Sequence, residues 1–206
     1  MKKLLIAAIL SAISLTFAYE TPKVLLFMRS GSGDLEYMLK TEVMVMKNTL
    51  ERSGFKVVIA TLDGSDFSSG STTVKADIKL ADAKMADYSG FILPCMMVAS
   101  YPMPEISPEA INLVKGAVAA GKPVAAQTGS LWTLAKAGVL RGKKYAYAFA
   151  EKDPLFEGAV FAGTGVVRDG LVLTSGLCPH MARTMKTKDG SEGLALALAE
   201  AMKEKK

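Results

Sequence analysis

Short apolar runs alternate with amphipathic segments along most of this chain, and this alternation constrains the fold more than any other feature. The apolar runs predict buried strands at residues 23–28, 55–60, 90–94 and 123–127. Apolar residues at helical spacing predict helices at residues 35–52, 108–120, 131–137 and 191–203. Strands that alternate with helices form a parallel sheet covered on both faces. We therefore expect an α/β fold with a mostly parallel central sheet.

The remaining segments predict turns and a hairpin. Residues 62–73 are polar and rich in Gly and Ser, which indicates a turn region, and residues 144–149 can form a strand. Residues 159–167 and 171–175 are typical of a hairpin whose second arm joins the sheet. Sites in such sheets lie at the carboxyl ends of the strands. The candidate site therefore lies in the loops that follow Met28, Pro94, Gln127 and Ser175.

The N-terminus indicates the compartment. Lys2 and Lys3 precede an apolar run at residues 4–15, and Thr16-Phe17-Ala18 places small residues where a signal peptidase reads. This pattern predicts a secretory signal peptide, residues 1–18, cleaved after Ala18. The run is shorter than the roughly 20 residues that span a bilayer, which disfavours an uncleaved anchor. We expect a periplasmic or secreted protein, without stable membrane insertion, whose residues 19–206 form a single domain.

Charge and composition disfavour one class of partner. The net charge is +5, and removing Lys2 and Lys3 lowers it by two. Much of the remaining positive charge lies at Lys203, Lys205 and Lys206. We interpret these lysines as the solvent-exposed end of a helix. No stripe of Arg and Lys with interleaved aromatic residues is present, so we expect no nucleic-acid binding.

Several segments, taken in order, resemble the DJ-1/PfpI superfamily within the class I glutamine amidotransferase-like fold. They are residues 50–60, 74–77 with 88–94, 124–129 with 134–143, and 167–175, and together they cover most of the chain after residue 18. The resemblance implies a flavodoxin-like three-layer sandwich. It also implies a homodimer, which nothing in the composition indicates.

The departures from the family pattern concern catalysis. At the nucleophile elbow, where the family has Cys, this chain reads Gln127-Thr128-Gly129-Ser130, with Gln127 at the nucleophile position and Thr128 one residue past it. An amide cannot act as a nucleophile. The family's Leu-Pro-Gly-Gly turn reads Leu93-Pro94-Cys95-Met96, and the family's downstream histidine is absent from residues 144–148.

One element of the family pattern remains. Counted back from Ser53 and Gly54, Glu42 matches the carboxylate that contacts the family's catalytic cysteine. Without a thiol at Gln127, we expect Glu42 to accept a hydrogen bond from the Gln127 amide, which would satisfy both buried polar groups.

The chain has two cysteines, Cys95 and Cys178, and a single histidine, His180. One hypothesis is relocated thiol chemistry, with His180 as base for either cysteine. A disulfide between the cysteines is the alternative. Their strands are expected to flank the strand of Gln127, roughly 10 Å apart, whereas Cα atoms beyond about 7 Å cannot be bridged. A disulfide therefore requires the two loops to bend towards each other.

Soft donors gather in the same loops. Thiol, thioether and imidazole groups suit Cu(I), although methionines commonly fill gaps in cores; the residues are Cys95, Met96, Met97, Cys178, His180 and Met181. The segment 178–189 is basic through Arg183, Lys186 and Lys188. It is interpreted either as a lid that attracts an anionic ligand or as an exposed insertion.

The leading prediction is an exported, non-catalytic domain that needs no cofactor and binds a small molecule or a partner. Its expected pocket consists of Glu42, Cys95, Met96, Gln127, Thr128, Gly129 and His180. The first alternative is a hydrolase or amidotransferase-like enzyme that uses Cys178 or Cys95 with His180 and Glu42. The second alternative is a soft-metal or redox protein.

Overall fold

Strands and helices alternate as the sequence predicts in the computed structural model, which describes residues 20–98 and 105–204. In chain order the strands are β1 (Lys23–Phe27), β2 (Lys56–Thr61), β3 (Phe67–Ser69), β4 (Thr72–Val74), β5 (Ile78–Lys79), β6 (Gly90–Leu93), β7 (Val124–Gln127), β8 (Lys144–Tyr145), β9 (Val160–Phe161), β10 (Val166–Asp169) and β11 (Val172–Ser175).

The central sheet has seven strands in the order β10-β11-β7-β6-β1-β2-β5. All of its neighbouring pairs are parallel except the antiparallel hairpin of β10 and β11. The predicted α/β fold with a mostly parallel sheet is therefore confirmed. In this order β6, β7 and β11 are neighbours, so the loops that follow them meet at one edge, as the sequence predicts.

The helices lie on both faces of the sheet. They are α1 (Leu35–Met38), α2 (Met44–Arg52), α3 (Pro108–Ala119), α4 (Leu131–Lys136), α5 (Pro179–Met185) and α6 (Ser191–Lys203), and a π-helical turn at Leu39–Val43 joins α1 to α2. The core between the sheet and α2 and α6 includes Val24 and Leu26, and the core on the α3 and α4 face includes Leu25 and Phe27.

Local signals set the helix ends. Ser107 caps α3, where its side chain accepts a hydrogen bond from the Ala110 N–H, and Pro108 occupies the first turn. After α2, Gly54 has a φ of +93°, a left-handed conformation that glycine adopts at little cost. These caps explain why α3 begins, and α2 ends, close to the predicted boundaries.

Four regions differ from the sequence predictions. The predicted turn region at 62–73 contains the antiparallel hairpin of β3 and β4. Of residues 144–149, only Lys144 and Tyr145 form a strand, and they pair with β9 rather than with the central sheet. The predicted first hairpin arm is divided between β9 and β10. The segment 178–189 is not a simple loop, because it contains α5.

The membrane prediction concerns two parts of the chain. In the described ranges, no helix combines the length and apolar character required to cross a bilayer. The predicted signal peptide, residues 1–18, lies outside the described residues.

Candidate functional site

Two cysteines and the elbow residue meet at the carboxyl edge of the sheet. Cys95 lies just beyond β6, Thr128 directly follows β7, and Cys178 lies beyond β11. Because β6 and β11 both border β7, the sequence was right to place the two cysteine strands on either side of the Gln127 strand. The thiols nevertheless come together, because both loops bend over the end of β7.

The Cys95 and Cys178 side chains pack against each other in one buried cluster and are not joined as a disulfide. The Gly129 N–H donates to the Cys95 Sγ over 3.4 Å. Both residues are buried, with Met38 packed against them. The loops after β6 and β11 therefore bring the two thiols together, although their strands are separated by β7.

The environment makes the two thiols unequal. The neighbouring Cys95 thiol is the main cause that lowers the pKa of Cys178, and burial acts in the opposite direction. The pKa of Cys95 is raised well above its usual value by the neighbouring Cys178 thiol and by burial. Cys178 is therefore the thiol that ionises first, with Cys95 as its proton-bearing partner.

The strained residue of the elbow is Thr128. Its φ is +40°, which is unusual for a β-branched residue, whereas Gln127 has extended backbone with a φ of −109°. The prediction that Gln127 occupies the strained position and that Thr128 lies past it is therefore wrong. Strand β7 continues through Gln127, which moves the sharp turn one residue along the chain.

The predicted pairing of Glu42 with Gln127 is also wrong. The Gln127 Nε2 donates to the Leu177 carbonyl over 2.7 Å, and its Oε1 has no hydrogen-bond partner in the described chain. Glu42 instead accepts from the backbone: Oε1 from the Cys95 N–H and Oε2 from the Met96 N–H, both over 2.8 Å. The family-like carboxylate thus holds the turn after β6.

Glu42 lies in the π-helical turn and is fully buried. Burial raises its pKa well above the usual value, although the two N–H donors and the charge of Arg29 act in the opposite direction. The turn that Glu42 holds is strained, because Met96 and Met97 have φ values of +57° and +48°. The hydrogen bonds of the Glu42 carboxyl group therefore stabilise an unfavourable backbone conformation, whereas the burial of that carboxyl group is itself destabilising.

Arg29 is a site residue that the sequence analysis did not single out. It lies two residues beyond β1, is only 8% exposed, and its Nη2 donates to the Cys95 carbonyl over 2.6 Å. It also packs against Gly129, since a Cβ on that glycine would lie 2.9 Å from the Arg29 Nη2. The available signal was its position in one of the four predicted site loops.

His180 does not act on either thiol in this structure. Its Nδ1 lies 3.4 Å from a guanidinium nitrogen of Arg183, which pairs with Asp34 and stacks over the Tyr37 ring. Within residues 20–98 and 105–204, no hydrogen bond joins His180 to Cys95 or Cys178. The hypothesis of a relocated Cys-His pair is not supported by this geometry.

The soft donors are divided. Met97 and Met181 pack near the thiols, whereas Met96 packs in the core on the α2 and α6 face. Among the described residues, no group of three or more His, Cys, Asp and Glu side chains is arranged to hold a metal ion. The thiol pair itself is the chemically distinctive feature of the site.

Comparison with known proteins agrees with this architecture. The model of the DJ-1/PfpI family matches residues 22–186. An uncharacterised protein from Archaeoglobus fulgidus is 32% identical over 106 residues, and the match spans 50% of this chain and 60% of that protein.

Three solved structures share the fold at low identity. A ThiJ/PfpI domain protein from Brachyspira murdochii has a TM-score of 0.63 at 15% identity, and the superposition covers 88% of this chain and 96% of that one. An oxidised DJ-1 from Toxoplasma gondii gives 0.60 at 22%, covering 89% and 95%. DJ-1beta from Drosophila melanogaster gives 0.59 at 21%, also covering 89% and 95%.

Proposed function

The chain belongs to the DJ-1/PfpI family, and we propose that its elbow is a dithiol–disulfide redox site without hydrolytic activity. The observation that carries this proposal is the packing of the two buried, unbridged thiols of Cys95 and Cys178 against each other. A thiol that ionises readily, next to a second thiol, is the arrangement that thiol–disulfide exchange requires.

Hydrolysis lacks support because the nucleophile has no activating partners. Thr128 occupies the strained elbow position, but in the part of the chain that the structure describes no histidine or carboxylate bonds its hydroxyl. Both oxygens of Glu42 already accept backbone N–H groups. A nucleophile, a base and a group that orients the base form the minimal set for covalent catalysis.

The redox step balances with an external disulfide as the oxidant. The Cys178 thiolate attacks one sulfur of that disulfide, its S–S bond breaks, and the first external thiolate leaves. The Cys95 thiolate then attacks the Cys178 sulfur in the mixed disulfide and releases the second external thiolate. The two protons of Cys95 and Cys178 pass to the released thiolates, and the pair is oxidised by two electrons.

Access to the pair requires local opening. The exposed fractions of Cys95 and Cys178 are 3% and 1%. Cys178 is the N-cap residue of α5, a short helix that carries exposed polar side chains on its outer surface. Short peripheral elements open with a small fraction of the global unfolding free energy, so we place the reactive state in a conformation with α5 displaced.

The signal-like N-terminus supports a role after export, where disulfides persist.

The burial of the elbow residues also affects the leading sequence-based prediction, which is small-molecule binding at the elbow. Glu42, Cys95, Gln127 and Thr128 are all buried, so a ligand at the elbow also requires displacement of its cover. Homodimer formation stays a prediction from the family resemblance.

The test is the pH dependence of iodoacetamide labelling, with mass spectrometry reporting each cysteine separately. We expect Cys178 to label at lower pH than Cys95, because the pKa of Cys178 is lowered and that of Cys95 is raised. Cys95→Ser keeps a hydroxyl donor and is expected to shift the Cys178 profile less than Cys95→Ala.

Labelling in denaturant supplies the reference, in which both cysteines share one profile. Identical profiles for the two cysteines in the folded protein would contradict the proposal. So would a Cys178 profile that does not respond to Cys95→Ala.

A further inference from the structure

A small cavity lies beside the elbow, on the face of the sheet that carries α3 and α4. Its volume is about 70 Å³. Apolar side chains form much of the wall, and polar groups from the ends of β1, α3 and α4 complete it; the lining includes Phe27, Arg29, Leu62, Ile106, Ala110 and Thr133. Neither cysteine lines it, so the cavity is distinct from the thiol pair.

Arg29 is the feature of this cavity that most needs an explanation. A guanidinium group has five N–H donors, and in the described chain this one makes a single hydrogen bond, to the Cys95 carbonyl. Its Nε is buried without a partner, and no carboxylate of a described residue lies within ion-pair distance of the group. Buried charges in proteins are normally paired, because an unpaired charge carries its full desolvation cost.

The neighbouring groups do not supply a negative charge that pairs with the Arg29 guanidinium. Glu42 acts on Arg29 through space, but it is engaged with the Cys95 and Met96 backbone and makes no ion pair with Arg29. Thr133 lines the same cavity, is fully buried, and its Oγ1 has no hydrogen-bond partner among the described residues. A cation and a hydroxyl that has no partner among the described residues therefore border one largely apolar space.

We propose that this cavity binds a short-chain carboxylate, whose carboxylate pairs with Arg29 and whose alkyl part packs on Phe27, Ile106 and Ala110. Arginine binds carboxylates through parallel N–H donors, and among the described residues only the Cys95 carbonyl accepts from Arg29. About 70 Å³ holds only a few water molecules, which limits the ligand to a short chain. The apolar wall favours a monocarboxylate over inorganic anions, which have no apolar part to bury.

Glu105 sets a limit on the charge of the ligand. Glu105 is one of the lining residues and is exposed to solvent. A second negative charge on the ligand would meet Glu105, so the cavity favours monoanions over dianions. Removing the Glu105 charge is therefore expected to strengthen binding.

The experiment is a titration of the mature protein with sodium propionate, followed by thermal unfolding. Ligands that bind only the folded state raise its melting temperature in a saturable manner. Propionamide serves as the neutral match of equal shape, and sodium chloride and sodium phosphate serve at equal ionic strength. We expect a saturable rise with propionate and none with the other three solutes.

Two variants separate the site from a general effect on folding. Arg29→Met keeps the length of the side chain without its charge, and Ala110→Leu fills the cavity while keeping Arg29. We expect each to weaken propionate binding at least tenfold, and Glu105→Gln to strengthen it about twofold to fivefold, since a nearby like charge costs a few tenths of a kcal/mol up to about 1 kcal/mol. Circular dichroism of each variant confirms that it is folded.

Three outcomes would overturn the proposal. The first is the absence of a saturable propionate effect on the unmodified protein. The second is an equal effect with phosphate or propionamide, which would indicate general ion or solute stabilisation. The third is unchanged propionate binding in folded Ala110→Leu. Cys178→Ser leaves the cavity intact and should retain binding, so this proposal and the redox proposal fail independently.

Discussion

The middle of the sheet and its carboxyl edge are stabilised in different ways. In the middle, strands such as β1 and β6 are almost entirely apolar and buried, and each large side chain contributes about 1.5–3 kcal/mol through burial. At the edge, buried positions are occupied by a guanidinium, a carboxyl group and two thiols. Three residues there, Met96, Met97 and Thr128, also have left-handed backbone.

This difference shows where the chain departs from local rules. Strained backbone and buried polar groups persist only where surrounding contacts compensate for them, and they concentrate at functional sites. In this molecule Glu42 supplies much of that compensation, because it holds the turn that carries Cys95. The edge should therefore depend on single hydrogen bonds, whereas the middle should depend on buried volume.

The largest expected effect comes from removing the Glu42 carboxyl group. Glu42→Leu leaves the buried N–H groups of Cys95 and Met96 without acceptors, at about 1–3 kcal/mol each, so we expect a loss of about 4 kcal/mol in unfolding free energy. Leu26→Ala, in the middle of the sheet, should cost about 3 kcal/mol through a cavity. Urea denaturation of both variants measures the two losses.

Glu42→Gln is the matched variant for this comparison. It retains one acceptor oxygen of similar placement, so we expect it to lose about half as much stability as Glu42→Leu. A Glu42→Leu variant that unfolds at the same urea concentration as the unmodified protein would show that the turn after β6 does not depend on this carboxyl group.

A smaller effect is expected from pH. Because the folded-state pKa of Glu42 is raised, the folded protein binds a proton that the unfolded chain releases above its own pKa of about 4.3. The unfolding free energy should therefore fall as pH rises above about 4.3, by up to about 1.4 kcal/mol per pH unit, until the folded-state pKa is reached. The charge of Arg29, the Cys95 thiol and two N–H donors all act on this titration.

Glu42→Gln provides the control, because it has no proton to release at this position. The difference in unfolding free energy between the two proteins, measured by urea denaturation at several pH values, isolates the Glu42 contribution. A difference that grows in favour of the unmodified protein as pH rises would have the wrong sign for a raised pKa.

The regular parts of the fold could be predicted from the sequence. Apolar runs and helical spacing located the strands β1, β2, β6 and β7 and the helices α2, α3, α4 and α6, because these features depend on local periodicity and caps. The position of the site followed from the strand order that such a sheet adopts. The short strands β3 and β4 carry little periodic signal and were missed, whereas β8 and β9 lie within predicted strand segments but are shorter than predicted.

The partners of the site residues could not be predicted in the same way. Nothing in the local sequence reports that Gln127 bonds Leu177, or that Glu42 bonds the backbone of Cys95 and Met96. A shift of one residue at the end of β7 exchanged the roles of Gln127 and Thr128. Arg29 was missed because an arginine after a strand is ordinarily solvated, and only tertiary packing buries it.

The measurement that tests the central claim most directly is peptide mapping of the protein after equilibration in a series of glutathione redox buffers. The account predicts one intramolecular Cys95–Cys178 disulfide that forms in a single two-electron transition and is fully reversible. Thiols that stay free in the most oxidising buffer, or cysteines that pair only between two chains or with glutathione, would contradict it.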